Sequence, residues 1–458
     1  MSDGSTFPYL RCIACGYEEP LNHPLERCPR CGGGWLDVVY DYERVAQSWP
    51  QVLRGRSWDM WRYRELMPLL DHEHRVTMGE GGTPLLRAAN LEMMMGCPNI
   101  YIKDERQGPT GSFKDRQASL SLSVMKQMGI TEAVVASTAN VAIAYSAYSS
   151  LAGVKLWAFL TSLVPPEKMR EVAIYGSEVI KVTGTYDQTK QVAAQFAERQ
   201  GLFRDRGIRS FAARESMKTV AFEIAEQLPG LTGADRTPWQ APDWYVQAVS
   251  GGMGPVGVWK GYRELLDMGL VDKMPKLACV QAEGCAPMVS SFRKGLTEAE
   301  PVLDPRTHVI TLATGSPGPA YTFLAKVIRE HGGAFEAVGD KETFRAVRLM
   351  AELDGISMER AAGAAFAGLF KMISEGVIKR DEVVVVNCSG HTFPVEKHLL
   401  GDDWAREVEA PGDAGATQDG LLGSLERLDR HVSRIAILED DPKAARLLRR
   451  ILQARGDY

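Results

Sequence analysis

One lysine, one glycine-rich turn and four cysteines carry most of the chemistry open to this sequence. Lys114 stands in PTGSFKDRQ (109–117), after Gly111, Ser112 and Phe113, where a helical pattern begins. An amine partly desolvated there loses basicity and can attack an aldehyde; taken alone it reads equally as a solvated surface charge. The stretch VSGGMGPVG (249–257) follows a strand pattern and opens a helical one. Its Ser250, Gly251, Gly252, Met253 and Gly254 leave backbone N–H groups bare at a helix start, which suits a phosphate. It lacks the Lys-Ser/Thr pair of a nucleoside-triphosphate loop and the spacing of a dinucleotide fingerprint, and a plain tight turn is its other reading.

Two further strand ends offer polar groups. Ser137, Thr138 and Ala139 are small enough for a flat ligand to approach, Asn140 could hydrogen-bond its substituent, and Val141 follows. In VVVVNCSGH, Ser389 presents a neutral hydroxyl that could meet a ring nitrogen. The carboxyl ends of parallel strands are where open α/β sheets bind ligands.

Cys12, Cys15, Cys28 and Cys31 form CxxC-x12-CxxC, with Gly and Pro permitting tight turns. Four thiolates at this spacing close a tetrahedral zinc site, structural because no position stays open. A pair of disulfides and a fold that has lost its metal are the alternatives. Cys97, Cys279, Cys285 and Cys388 are scattered.

The elements that must hold these groups alternate. NIYIKDE, EAVVAS, KLWAFLT, SEVIKVTG, DWYVQAVS, KLACVQAE and EVVVVNCS read as apolar strands, most followed by amphipathic helices. That pattern predicts parallel sheets covered on both faces, an α/β fold. The uncharged run 133–154 contains six Ser, Thr or Asn residues and reads as a strand, a loop and a buried helix rather than a membrane span. Residues 1–45 are expected to form the zinc unit and 46–400 the main body. Residues 409–420, EAPGDAGATQDG, look like a linker. Beyond them SRIAILEDDPKAARLLRRILQARG reads as a strand, an acidic turn and a helix; it resembles the opening of a receiver domain, as a vestige, a truncated fusion or chance. The 401–458 segment is therefore set apart as a tail.

The chain has 458 residues, with 45% hydrophobic and 24% charged, enough for two or three domains. A net charge of −5 with scattered Lys and Arg offers no footprint for nucleic acid. No basic and apolar leader opens the sequence, so a cytoplasmic protein is expected.

In order along residues 12 to about 395, CxxCG…CPRCGGGWLDVVYDY, GEGGTPLLRA, KDERQGPTGSFKDR, SMKTVAFEIAEQL, GVWKGYREL, KLACVQAEGCAPM and VVVVNCSGH resemble the fold type II pyridoxal-phosphate enzymes, and among them the zinc-ribbon threonine synthases. The resemblance implies a tryptophan synthase beta-like fold with two open parallel-sheet subdomains, the smaller covering roughly 118–210, and a homodimer. It implies that Lys114 holds pyridoxal 5'-phosphate covalently, Asn140 bonds its phenolic oxygen, residues 250–254 bind its phosphate and Ser389 faces its pyridine nitrogen. Ser137, Thr138, Ala139 and Val141 would line the substrate carboxylate's place. The implied reaction is elimination or replacement on a small activated amino acid: phosphohomoserine and water to threonine and phosphate. Phosphoserine or an O-substituted homoserine are alternatives, and a non-catalytic regulatory binder a minor one. Departures concentrate at the asparagine loop, where Thr138-Ala139-Asn140-Val141 replaces the usual Ser-Gly-Asn-Thr, and at Ser-Gly-Gly-Met-Gly in the phosphate loop. They bear on substrate choice rather than on cofactor binding.

Overall fold

The computed structural model describes residues 7–21, 27–233 and 238–391, and the backbone of 406–409. Three sheets organise them. The first is antiparallel, with Tyr9–Cys12 between Glu18–Pro20 and Leu36–Val39. The second has six strands in the order Gly333–Val338, Lys276–Ala282, Trp244–Ala248, Val384–Cys388, Ile100–Asp104, Leu85–Arg87. All are parallel except Leu85–Arg87 at the edge. The third is fully parallel and runs Arg406–Glu409, Glu178–Thr183, Lys155–Thr161, Glu132–Ser137, Phe203–Arg204.

Each strand expected from the apolar runs is present, and the parallel pairing follows from helices covering both faces. In the two larger sheets Leu85–Arg87, Phe203–Arg204, Gly333–Val338 and Arg406–Glu409 are additional. The uncharged run 133–154 divides into the strand Glu132–Ser137 and the helix Asn140–Ala152. Among the described residues no helix is long and apolar enough to cross a membrane. The receiver-like stretch and the linker lie outside the described residues.

Two packing devices position the loops of interest. The helices Phe211–Thr232 and Met253–Asp267 meet at glycines: a methyl on Gly257 would lie 2.4 Å from Met217 Cβ, and one on Gly261 2.8 Å from Ala221 Cβ. Backbones that close fix where the loop 250–254 enters its helix. The second device is ionic. Arg116 Nη2 lies 2.7 Å from Glu105 and Arg116 Nη1 2.5 Å from Glu223, and Lys103 Nζ reaches Glu223 at 2.7 Å, all fully buried. Removing one member would leave an unpaired buried charge, a cost of roughly 3–5 kcal/mol. Lys103, Glu105 and Arg116 of KDERQGPTGSFKDR thus tie the helix Lys114–Gln127 to a strand and a second helix.

Candidate functional site

Lys114 is the first residue of its helix and faces a cavity of about 410 Å3 between the two larger sheets. The turn before it is held on both sides. Asp115 accepts from Thr110 N (3.0 Å) and Thr110 Oγ1 (2.6 Å), Phe113 N donates to Ser389 O (3.0 Å), and His391 N donates to Gly111 O (2.8 Å). Lys114 and Ser389, remote in sequence, are therefore set by one backbone junction. Lys114 Nζ lies 4.1 Å from the Phe113 ring centroid and makes no hydrogen bond among the described residues. Burial lowers its pKa to about 8, against the opposing pull of the Glu359 and Asp205 carboxylates.

The loop 250–254 forms another wall of the cavity. Gly252, at φ 79°, caps the helix Met253–Asp267, a backbone that glycine adopts without strain. A methyl on Gly254 would lie 2.4 Å from Gln247 Nε2, whereas nothing stands within 4 Å of one on Gly251. The backbone N–H groups of residues 250–254 have no protein acceptor among the described residues. Ser250 Oγ pairs with Thr314 Oγ1. Five bare donors at a helix N-terminus fit a phosphate.

Asn140 opens the helix Asn140–Ala152 and lines the cavity; its Nδ2 donates to Glu359 Oε1 (2.7 Å). One of the two Nδ2 hydrogens remains for a ligand. Ser389 is 4% exposed, lines the cavity, and its hydroxyl is unbonded among the described residues. An amine, an amide N–H, a hydroxyl and a bed of N–H groups thus surround one cavity, a donor set that fits pyridoxal phosphate.

The expected substrate residues divide. Thr138 and Val141 line the cavity. Ser137 does too, but its Oγ accepts from Ala139 N (3.0 Å) and Ala142 N (3.1 Å), so it caps the helix. Ala139 is fully buried in the core beside the five-stranded sheet and is not part of the cavity wall; its backbone stands at φ 135°. The expectation that its methyl borders a substrate carboxylate is corrected by that burial.

Sequence reasoning passed over Asp205 and Glu359, both in the wall. Asp205 is buried, which raises its pKa against the hydrogen bonds of Tyr145 Oη (2.7 Å) and Gly207 N (2.6 Å). Neither belongs to a motif; Glu359 precedes a helix and looks like an ordinary first-turn acid.

Outside the cavity wall, the sulfurs of Cys12, Cys15, Cys28 and Cys31 lie within 4.8 Å of one another, and all four are free thiols. Cys12–Cys31 and Cys15–Cys28 are 3.6 Å apart. A tetrahedral zinc with bonds near 2.3 Å separates its sulfurs by roughly 3.8 Å, so the cluster fits that ion. The two knuckles repeat one turn: Gly16 N donates to Cys12 O, and Gly32 N to Cys28 O, with both glycines at φ near +71°.

The profile of the pyridoxal-phosphate dependent enzyme family matches residues 76–390. The threonine synthase of Methanocaldococcus jannaschii is 35% identical over 383 residues, 83% of this chain and 91% of that one. That of Methanosarcina acetivorans is 32% identical over 384 residues, 84% and 91%. Maize serine racemase superposes with a TM-score of 0.58 at 18% identity, over 68% of this chain and 88% of that one, and shares the fold.

Proposed function

This chain belongs to the pyridoxal-phosphate dependent enzyme family, and on that premise we propose that it works as a carbon–oxygen lyase of the threonine synthase type. The reaction we assign is phosphohomoserine plus water to threonine plus phosphate. Curated relatives of that name, 28–35% identical over most of the chain, support the type of reaction. The single observation that carries the site is the unbonded Lys114 amine, of pKa about 8, in a cavity whose other wall is the N–H bed of residues 250–254.

Lys114 would hold the cofactor through Nζ, residues 250–254 its phosphate, Asn140 Nδ2 its phenolic oxygen and Ser389 Oγ its pyridine nitrogen. When bound, the cofactor supplies an electron sink for the charge left at the substrate's α carbon. Ser389 offers a neutral hydroxyl where a carboxylate would keep the ring nitrogen protonated, a choice that suits elimination and replacement. The Lys114 amine would take the α proton and hold it at Nζ; a pKa of about 8 for the free amine leaves roughly a tenth of it neutral at pH 7. Thr138 and Val141, at the start of the helix Asn140–Ala152, border the place assigned to the substrate.

Cys12, Cys15, Cys28 and Cys31 are assigned to one structural zinc, with no position left for substrate. The experiment that tests the reaction is incubation of the pure protein with phosphohomoserine and, separately, phosphoserine, following phosphate and the amino acid formed. Phosphate and threonine from the first support the assignment; products from the second alone overturn the substrate and keep the chemistry.

A further inference from the structure

Asn140 is held from two sides by residues of different sheets. Its Oδ1 accepts from Lys168 Nζ at 2.8 Å, its Nδ2 donates to Glu359 Oε1 at 2.7 Å, and Lys168 Nζ also donates to Glu359 Oε2 at 2.8 Å. An ammonium only donates and a carboxylate only accepts, so this triangle permits one orientation of the Asn140 amide. Lys168 sits in the helix Pro166–Ile174, which links two strands of the five-stranded sheet. Glu359 immediately precedes the helix Arg360–Ser374, packed on the six-stranded sheet, and its side chain makes no capping bond. The pair therefore joins elements packed on the two different sheets.

Charge is the second consideration. Glu359, its side chain 6% exposed, lines the cavity in which an anionic ring oxygen and a phosphate would sit. Alone it would repel them. Lys168, 16% exposed and no part of the cavity wall, neutralises it from behind.

We infer that Lys168 is a positioning residue for the cofactor: it sets the amide of Asn140 so that an N–H remains for the ligand, and it cancels the Glu359 charge at the cavity wall. The inference rests on the cofactor site and is independent of which amino acid is turned over.

The two halves of the ion pair then have unequal roles, and that asymmetry is the test. Lys168→Met frees the amide and exposes a carboxylate to an anion; Glu359→Gln removes the repulsive charge and leaves Lys168 on Asn140. Apoprotein of each variant, of Lys168→Arg and of the double variant Lys168→Met/Glu359→Gln is titrated with pyridoxal phosphate, following the bound cofactor's absorbance, with the apoprotein melting temperature read in parallel. Expected are a loss of affinity of roughly 10- to 100-fold for Lys168→Met, near wild-type affinity for Lys168→Arg and Glu359→Gln, and partial recovery in the double variant. A plain structural ion pair would suffer as much from either half, so equal losses overturn the inference, as does wild-type affinity in Lys168→Met. If Lys168→Met does not fold, Lys168→Arg and Glu359→Gln still decide: marked loss in either is the overturning result. Wild-type protein that takes up no cofactor sinks the cofactor reading itself, a result separate from these.

Discussion

Ser112 and Gly390 pair as an isolated antiparallel bridge, so the turn that presents Lys114 and the turn that presents Ser389 are one structure. Gly390 has little room: a methyl there would lie 2.8 Å from Glu359 Oε1 and 3.3 Å from Ser112 Cβ. Gly390→Ala should therefore displace Glu359 and the Lys114 turn together. Overpacking of this kind costs roughly 1–3 kcal/mol, and a calorimetric melt combined with a cofactor titration should record lower stability and weaker binding in the same variant. A variant that binds as wild type would mean the junction tolerates a methyl without moving the site.

Lys114→Ala should be inactive yet folded, because Nζ makes no hydrogen bond among the described residues and its loss costs only the contact with the Phe113 ring. Borohydride treatment of the wild type with its cofactor should mark the peptide containing Lys114 and no other; label on another lysine would unseat the assignment.

The lowered Lys114 pKa gives a pH dependence with a definite sign. Below about 8 the amine is mostly protonated, so the rate at which apoprotein recombines with pyridoxal phosphate should rise about tenfold per pH unit from 6 to 7 and level off above 8. A rate still climbing steeply toward 10 would show an amine at its ordinary pKa.

Ala139 carries backbone strain: φ 135° is a conformation side chains rarely adopt, with a typical cost of 1–3 kcal/mol. Glycine relieves the strain and forfeits about 0.4–1 kcal/mol through greater freedom in the unfolded chain. Removing the buried methyl also forfeits about 0.8 kcal/mol of burial, so Ala139→Gly should leave stability within about 1 kcal/mol of the wild type and leave the phosphohomoserine-to-phosphoserine preference unchanged. Val141→Thr, on the cavity wall, should change that preference. Paired denaturant melts and side-by-side kcat/KM measurements separate the two effects, and a shifted preference in Ala139→Gly would return that methyl to the site.

Metal analysis should find about one zinc per chain. The antiparallel unit is docked by Trp35 stacked on Phe323, with ring centroids 5.4 Å apart, and by Lys260 bridging Asp37 and Glu215 at 2.7 and 2.5 Å. Chelation should loosen that unit, seen in tryptophan fluorescence, before it disturbs the cofactor's absorption. Simultaneous loss of both signals would make the unit part of the cofactor site's support.

Most strands, and the four loops that meet at the cavity, were legible because each is a local pattern: apolar runs bounded by turns, bare glycines, one lysine at a helix start. What escaped depends on parts of the chain far apart. Lys103, Glu105 and Arg116 read as a charged motif, yet their partner Glu223 comes from a helix more than a hundred residues on. Lys168 and Glu359 look like ordinary helix residues until the two sheets meet. Ala139 was assigned to the cavity by position, whereas the direction of its methyl is set by φ, which composition does not fix. The strand Gly333–Val338 was missed because GAFEAV mixes polar and apolar residues, as an edge strand does.

The strand Arg406–Glu409 lies beside Glu178–Thr183, with Arg406 opposite Ile180 and Glu409 opposite Thr183. The chain thus leaves the six-stranded sheet after Cys388 and returns to the far border of the other one. A sheet border is a row of unspent donors and acceptors that accepts any passing strand, and here the protein's own tail occupies it. Ending the chain after the Ser389 turn would therefore keep the described cavity lining and uncover a sticky seam, making solubility the first thing lost.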